Sequence, residues 1–237
     1  MLIAIDNGHG IDTPGKRTPV FPEGGQTREW QFNYPTAQKL GTLLRNNGFD
    51  ILFVSDTEAD TPLITRVSRA NQAKADLFVS IHYNAFQGVW GPHGGIETYH
   101  YATSVKGKKL AQEVQQELIK ETGLRDRGVK TAAFYVIKET NMPAILAECG
   151  FMDNLEEARF MLNEAYQLSC AQGIAKGICS YFKMAYVEEE VHWAEPYYKR
   201  LNEAGVEVLE RRFNDPITRG ETMVLMDRLI HWIKGER

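Results

Sequence analysis

Leu2-Ile3-Ala4-Ile5-Asp6-Asn7-Gly8-His9-Gly10 decides the fold: a short apolar run stops abruptly at polar residues and glycines, with a histidine at the turn. The pattern returns at Leu77-Phe78-Val79-Ser80-Ile81, which leads into His82-Tyr83-Asn84-Ala85. It returns again at Ala144-Ile145-Leu146-Ala147, which delivers Glu148 before Cys149-Gly150-Phe151. Short apolar runs bounded by turn residues read as buried strands. In an open α/β sheet, sites are built at the carboxyl ends of the strands. Ends that supply His, His and Glu read as a metal site with a carboxylate beside it.

Between these runs the spacing changes. Phe32, Leu40, Leu43 and Leu44 recur at helical intervals up to Gly48, Pro62 opens a helix through Leu63, Val67 and Ala70, and Leu110, Val114 and Leu118 mark another that Gly123 stops. Ile51–Val54, the alternating Ile96–Tyr101 and the apolar Phe134–Ile137 read as further strands. Asn154-Leu155-Glu156-Glu157 resembles a capping box and begins a helical region reaching Phe182. Strands separated by helical patterns predict an α/β fold: a mainly parallel twisted sheet flanked by helices.

The pattern breaks between Tyr186 and His192, where Glu188-Glu189-Glu190 reads as a linker. Beyond it, Trp193, Tyr197 and Leu201 share a helical face that ends at Gly205. Pro216–Glu221 starts a second helix through Met223, Leu225, Met226, Leu229 and Ile230. The expected organisation is a catalytic domain over 1–183, a linker over 184–192 and a small C-terminal α-helical hairpin over 193–237. Such a hairpin is too small for a comfortable core of its own, so it is expected to dock or to self-associate, a homodimer being one form.

The 237 residues carry a formal net charge of -4 and are 43% hydrophobic. The charge argues against a nucleic-acid partner, which calls for a basic face. No apolar run approaches membrane-spanning length. Cys149, Cys170 and Cys179 are odd in number and widely spread, which is not a disulfide framework. The opening residues have no basic region and too short an apolar run for a signal peptide. The expectation is a chain made in the cytoplasm.

Catalytic zinc takes His and Asp/Glu ligands and keeps one position open for water or substrate. His9 and His82 are the nitrogen donors. Glu29, beside Trp30-Gln31-Phe32 at a helix start, is favoured as the oxygen donor; Glu23, in the loop Pro22-Glu23-Gly24-Gly25, is the fallback. Glu148, at an apolar strand end, suits general-base work.

These residues carry a resemblance. Asp6-Asn7-Gly8-His9-Gly10, Glu29, Arg66 with Ala70-Asn71, Ser80 to Ala85, Arg127-Gly128-Val129-Lys130 through Ile137, Met142-Pro143-Ala144 and Glu148 to Phe151 are similar to the zinc-dependent N-acetylmuramoyl-L-alanine amidases, in order, from residue 1 to about 183. The resemblance implies one Zn2+ on His9, Glu29 and His82, Glu148 as catalytic carboxylate, and peptidoglycan as substrate. It departs from the common pattern at Asn7, where proline is usual, and at Tyr83, where alanine is usual. Phe213–Glu221 is similar to part of a surface-layer homology repeat, which implies a secondary cell-wall polymer as ligand. The setting implied is a phage or prophage endolysin acting on the wall after release, or a bacterial autolysin.

Plainer readings compete. Each histidine alone reads as structural, Glu29 as an ordinary first-turn carboxylate, and Glu148 as half of a buried ion pair with an arginine such as Arg66. Asn84, Arg66 and His93 are candidate substrate-binding residues, each with a structural alternative. At the level of the whole chain, the alternatives are a non-catalytic wall-binding protein and a zinc peptidase cutting within the stem peptide.

Overall fold

In the computed structural model, which describes residues 1–188, 200, 201, 204 and 219–234, β1 (Leu2–Asn7) lies between β2 (Asp50–Ser55) and β3 (Leu77–Asn84). Next to β3 come β6 (Ala144–Phe151), β4 (Ile96–His100) and β5 (Asp126–Thr131), giving a six-stranded sheet in the order β2-β1-β3-β6-β4-β5. Neighbours are parallel except β4 and β6, which run antiparallel. The helices are α1 (Trp30–Asn46), α2 (Leu63–Gln72), α3 (Val105–Thr122), the short α4 (Tyr135–Lys138) and α5 (Leu155–Ala158), and α6 (Glu164–Tyr181).

Side chains alternate across a strand, and this alternation sorts the chemistry. Ile3, Ile5, Leu77, Val79, Ile81, Tyr83, Ile145, Ala147 and Cys149 face a large core with α1, α3 and α6. Ala4, Phe78, Ala144 and Leu146 face a smaller core with Val67 and Ala70 of α2 and Val136 and Ile137 of α4. Asp6, Ser80, His82 and Glu148 continue the second register. The polar residues thus follow the face covered by the shorter helices.

Local signals set the helix ends. The Ser104 side chain accepts from the Gly107 amide at the start of α3, and Gly123, at φ 67°, closes it. Asn154 and Asn163 cap α5 and α6 in the same way. The helical region expected to run unbroken from Asn154 is therefore two helices, separated over Arg159–Asn163. The expected strand over Phe134–Ile137 is instead the single turn α4, whose Val136 and Ile137 pack into the smaller core. The strand that flanks β4 on its outer side is Asp126–Thr131, a polar stretch with no apolar alternation.

Cys149, Cys170 and Cys179 are free thiols and wholly buried. Among the described residues, no helix is long and apolar enough to cross a membrane.

The chain divides into two compact units, Met1–Val187 and Glu188–Arg237. Of the second, the described part is chiefly α7 (Arg219–Lys234), which exposes Met223, Val224, Met226, Ile230, Trp232 and Ile233. Trp193, Tyr197, Gly205 and Pro216–Thr218 of the expected hairpin lie outside the described residues.

Candidate active site

β1 ends at Asn7, and the chain turns through Gly8 into His9, whose φ of 61° puts a non-glycine residue in the left-handed region. Such a conformation is uncommon outside glycine, so surrounding contacts must hold it. The Gly8 amide donates to the Ile81 carbonyl at 2.9 Å, and Asn33 Nδ2 donates to the Gly8 carbonyl at 2.9 Å. A Cβ on Gly8 would lie 2.1 Å from the His82 ring, so only glycine lets the imidazole sit there.

Glu29 immediately precedes α1 and is buried. Its Oε1 accepts from the Tyr83 amide at 3.1 Å and Asn33 Nδ2 at 3.2 Å, and lies 2.9 Å from His82 Nδ1; its Oε2 lies 3.4 Å from His9 Nε2. The two imidazoles meet edge to face, with ring centres 4.9 Å apart. One donor atom from each of His9, Glu29 and His82 falls within 4.8 Å of the other two. Bonds to zinc of about 2.0–2.1 Å in tetrahedral array put ligand atoms about 3.3 Å apart, so this donor set fits a metal ion with small shifts. Glu23, the alternative ligand, is exposed and pairs with Arg159 at 3.1 Å.

The charges suit ligation at His9 and Glu29, and leave His82 a proton to lose when a metal binds. Burial and the neighbouring His82 pull His9 down to about 4, although Glu29 opposes this, and a neutral imidazole is the form a metal requires. Burial alone would raise Glu29, but the His82 hydrogen bond and the two histidine charges win and hold it at about 2. Burial would lower His82, yet the hydrogen bond and charge of Glu29 raise it.

Glu148 sits beside this cluster because β3 and β6 pair His82 directly with Glu148. Both strands run on beyond the residues expected at their ends. Between the pairs His82–Glu148 and Asn84–Phe151 the ladder slips by one residue, a stretch that contains Gly150, whose φ is 140° and against which the Tyr83 ring packs. A bulge of this kind re-aims neighbouring side chains. Glu148 Oε2 is buried without a hydrogen-bond partner among the described residues. Burial pushes the carboxyl up to about 8, against the lowering charge of His82, with Glu29 adding to the rise.

The arginine proposed as a partner for Glu148 is engaged elsewhere. Arg66 is wholly buried, and its guanidinium donates to Asp6 at 2.6 Å, the Asn7 carbonyl at 2.7 Å, the Thr61 carbonyl at 2.7 Å and Asp60 at 2.7 Å. It nevertheless lines, with His9, His82, Asp60, Leu63 and Val136, a cavity of about 220 Å³. Asn84 donates to Glu97 at 3.3 Å. His93 lies against Phe86, ring centres 3.9 Å apart.

Sequence reasoning passed over three acids. Asp6 anchors Arg66 and also accepts from Ser55 and Ser80. Asp153 Oδ2 gathers the amides of Phe86, Gln87 and Gly88, holding the loop after β3. Glu97 lies opposite Glu148 across the β4–β6 ladder. The signal for Glu97 was its place in the alternating run Ile96–Tyr101, on the face opposite the apolar Ile96.

An open, mainly parallel sheet with a His/Glu/His donor set beside a buried glutamate defines a hydrolase domain with a candidate metal site. The chain belongs to the N-acetylmuramoyl-L-alanine amidase family, which it matches over residues 3–180. It is 37% identical over 183 residues to the N-acetylmuramoyl-L-alanine amidase LytC of Bacillus subtilis (strain 168), spanning 76% of this chain and 35% of that protein. It is 34% identical over 184 residues to the endolysin of Bacillus phage SPP1, spanning 75% of this chain and 64% of that protein. The crystal structure of an N-acetylmuramoyl-L-alanine amidase from Clostridium difficile 630 superposes with a TM-score of 0.69 at 35% identity, over 77% of this chain and 96% of that one.

Proposed function

We propose that the first unit cleaves the amide between N-acetylmuramic acid and the L-alanine of the peptidoglycan stem peptide, with one Zn2+ on His9, Glu29 and His82 and Glu148 as the catalytic carboxylate. The observation that carries this reading is the pairing of His82 with Glu148 across one sheet ladder, which sets a carboxylate oxygen without a hydrogen-bond partner among the described residues beside the donor cluster. Zinc held there would lower the pKa of water to about 7 and polarise the scissile carbonyl. Glu148 Oε2 takes the water's proton and returns it to the departing nitrogen of L-alanine. Its raised affinity for protons suits the second half of that exchange. Tyr83 and Asn33 steady Glu29 through their hydrogen bonds, so the donor set is organised before substrate arrives.

The same reading takes residues 1–183 as the catalytic domain, 184–192 as linker and 193–237 as a wall-binding or association module. The apolar surface of α7 supports a surface role for that module. The name of the phage relative supports an endolysin setting.

The experiment is to incubate the purified chain with bacterial peptidoglycan and identify the newly exposed N-terminus, with a chelator and after zinc is restored. New N-terminal L-alanine that vanishes on chelation and returns with zinc is expected. A different new N-terminus makes the chain a stem peptidase, and no release from several wall types makes it a binding protein.

A further inference from the structure

Glu97 is 3% exposed at its side chain, yet two cations converge on it. Its Oε1 accepts from Arg127 Nε and, at 2.6 Å, from Lys130 Nζ. Its Oε2 accepts from the Tyr99 hydroxyl at 2.5 Å and Asn84 Nδ2 at 3.3 Å. The carboxylate is therefore filled, and although Glu157 also acts on Arg127 through its charge, its oxygens accept from the Gly95 and Phe151 amides, so the arginine and the lysine keep donors to spare. A structural role in pinning Glu97 needs only one of them. The surplus is accessible: the Arg127 and Lys130 side chains are 22% and 37% exposed. Arg127 sits over the Phe151 ring, 4.8 Å from its centre, which fixes the guanidinium while leaving Nη2 without an acceptor among the described residues.

Position gives this surplus a direction. β3, β6 and β4 are successive neighbours, and His82, Glu148 and Glu97 stand side by side across them. The cations from β5 reach in to Glu97, ending a polar row that starts at the donor cluster. Two strand spacings separate β3 from β4, about 10 Å. An extended peptide covers about 3.4 Å per residue, so that distance corresponds to two or three residues.

We propose that Arg127 and Lys130 form a subsite for a free carboxylate of the stem peptide, two or three residues from the scissile amide. The inference rests on the amidase reading above. The lactyl carboxyl of muramic acid is consumed in the scissile amide, so the anion must come from the peptide. A carboxylate at this place meets charge-assisted hydrogen bonds from both cations. Amidation of that carboxylate removes the charge and half the acceptors, so the subsite distinguishes free from amidated wall chemistries.

The test uses the full chain with soluble glycan–stem peptide fragments in matched pairs. In one pair the carboxylate of the second stem residue is free or amidated; in the other, that of the third. The parent is expected to show a KM about tenfold lower for the free member of one pair, the scale of one charge-assisted contact, with kcat changed far less. Which pair responds identifies the residue recognised. Lys130→Met should collapse that ratio towards one, whereas loss of a merely structural contact to Glu97 would lower activity on both members alike and leave the ratio intact; Lys130→Arg should restore the ratio. If Lys130→Met fails to fold, the parent's ratio, and its decline with added salt, read the same subsite. Equal KM values for both members of both pairs overturn the proposal, as does a ratio that survives in folded Lys130→Met. No new N-terminal L-alanine from any fragment or from intact wall would instead remove the amidase reading, and the subsite with it.

Discussion

Two buried ionisable side chains on the same face of the sheet are treated in opposite ways. Arg66 finds two carboxylates, two backbone carbonyls and a serine hydroxyl, so its burial is fully compensated. Glu148, two strands from Asp6, has an oxygen with no hydrogen-bond partner among the described residues and a carboxyl pushed up to about 8. A satisfied buried charge rigidifies what it touches, here the turn that presents His9. An unsatisfied one costs stability and persists where chemistry needs it. The contrast sets a scaffold residue, Arg66, against Glu148, the carboxylate proposed for the chemistry.

The sharpest way to break the contrast is to swap the chemistry while keeping the shape. Glu148→Gln should lower amide hydrolysis about a thousandfold while the protein still binds zinc, read by turnover and by metal content after dialysis. Activity near the parent's level would take Glu148 out of the mechanism. Arg66→Met tests the other side: it strands Asp6 without its counter-ion and should cost about 3–5 kcal/mol in denaturant unfolding. A loss below about 1 kcal/mol would mean that the network is ornamental.

A smaller effect sharpens the contrast through pH. In the metal-free protein, Glu148 is raised from 4.5 to about 8. The stability from its protonated form is complete below pH 4.5 and is lost as pH rises through about 8. His9, lowered from 6.5 to about 4, is neutral in the folded chain above pH 6.5 and loses its remaining proton in the unfolded chain over the next pH unit, so its opposing contribution fades towards pH 8. Between pH 6.5 and 8 the chelated parent should therefore lose stability at up to about 1.4 kcal/mol per pH unit from Glu148. His82, also raised, acts in the same direction, so Glu148→Gln should make the slope shallower without flattening it. Identical slopes in melting experiments would remove the strained carboxylate from the account. Smallest of all, Glu23→Ala breaks an exposed pair with Arg159 and should change stability by less than about 1 kcal/mol. Loss of zinc in that variant would transfer the ligand role from Glu29 to Glu23.

Much of this was legible because strands declare themselves by apolar runs and sites gather where such runs stop. His9, His82 and Glu148 each follow one. Glu29 was reachable because a helix start fixes a side chain better than a glycine-rich loop does. What escaped has physical reasons. Asp126–Thr131 lies at the sheet edge and needs no apolar alternation. Phe134–Ile137 is aromatic and β-branched, and four such residues fit a strand or one helical turn equally well; packing against α2 decides. The reversed direction of β4 leaves no trace in its composition, yet it sets Glu97 opposite Glu148. The partners of Arg66 are spread over three segments of the chain, Asp6–Asn7, Ser55 and Asp60–Thr61, and single-sequence spacing does not encode such convergence.

The three wholly buried thiols give the molecule its own clock. Cys149 adjoins Glu148 in β6, whereas Cys170 and Cys179 lie in α6 beneath the sheet. A thiol reagent reaches any of them only when the structure opens. The order in which the three sulfurs are captured therefore reports which layer parts first, the strand that carries Glu148 or the helix behind it.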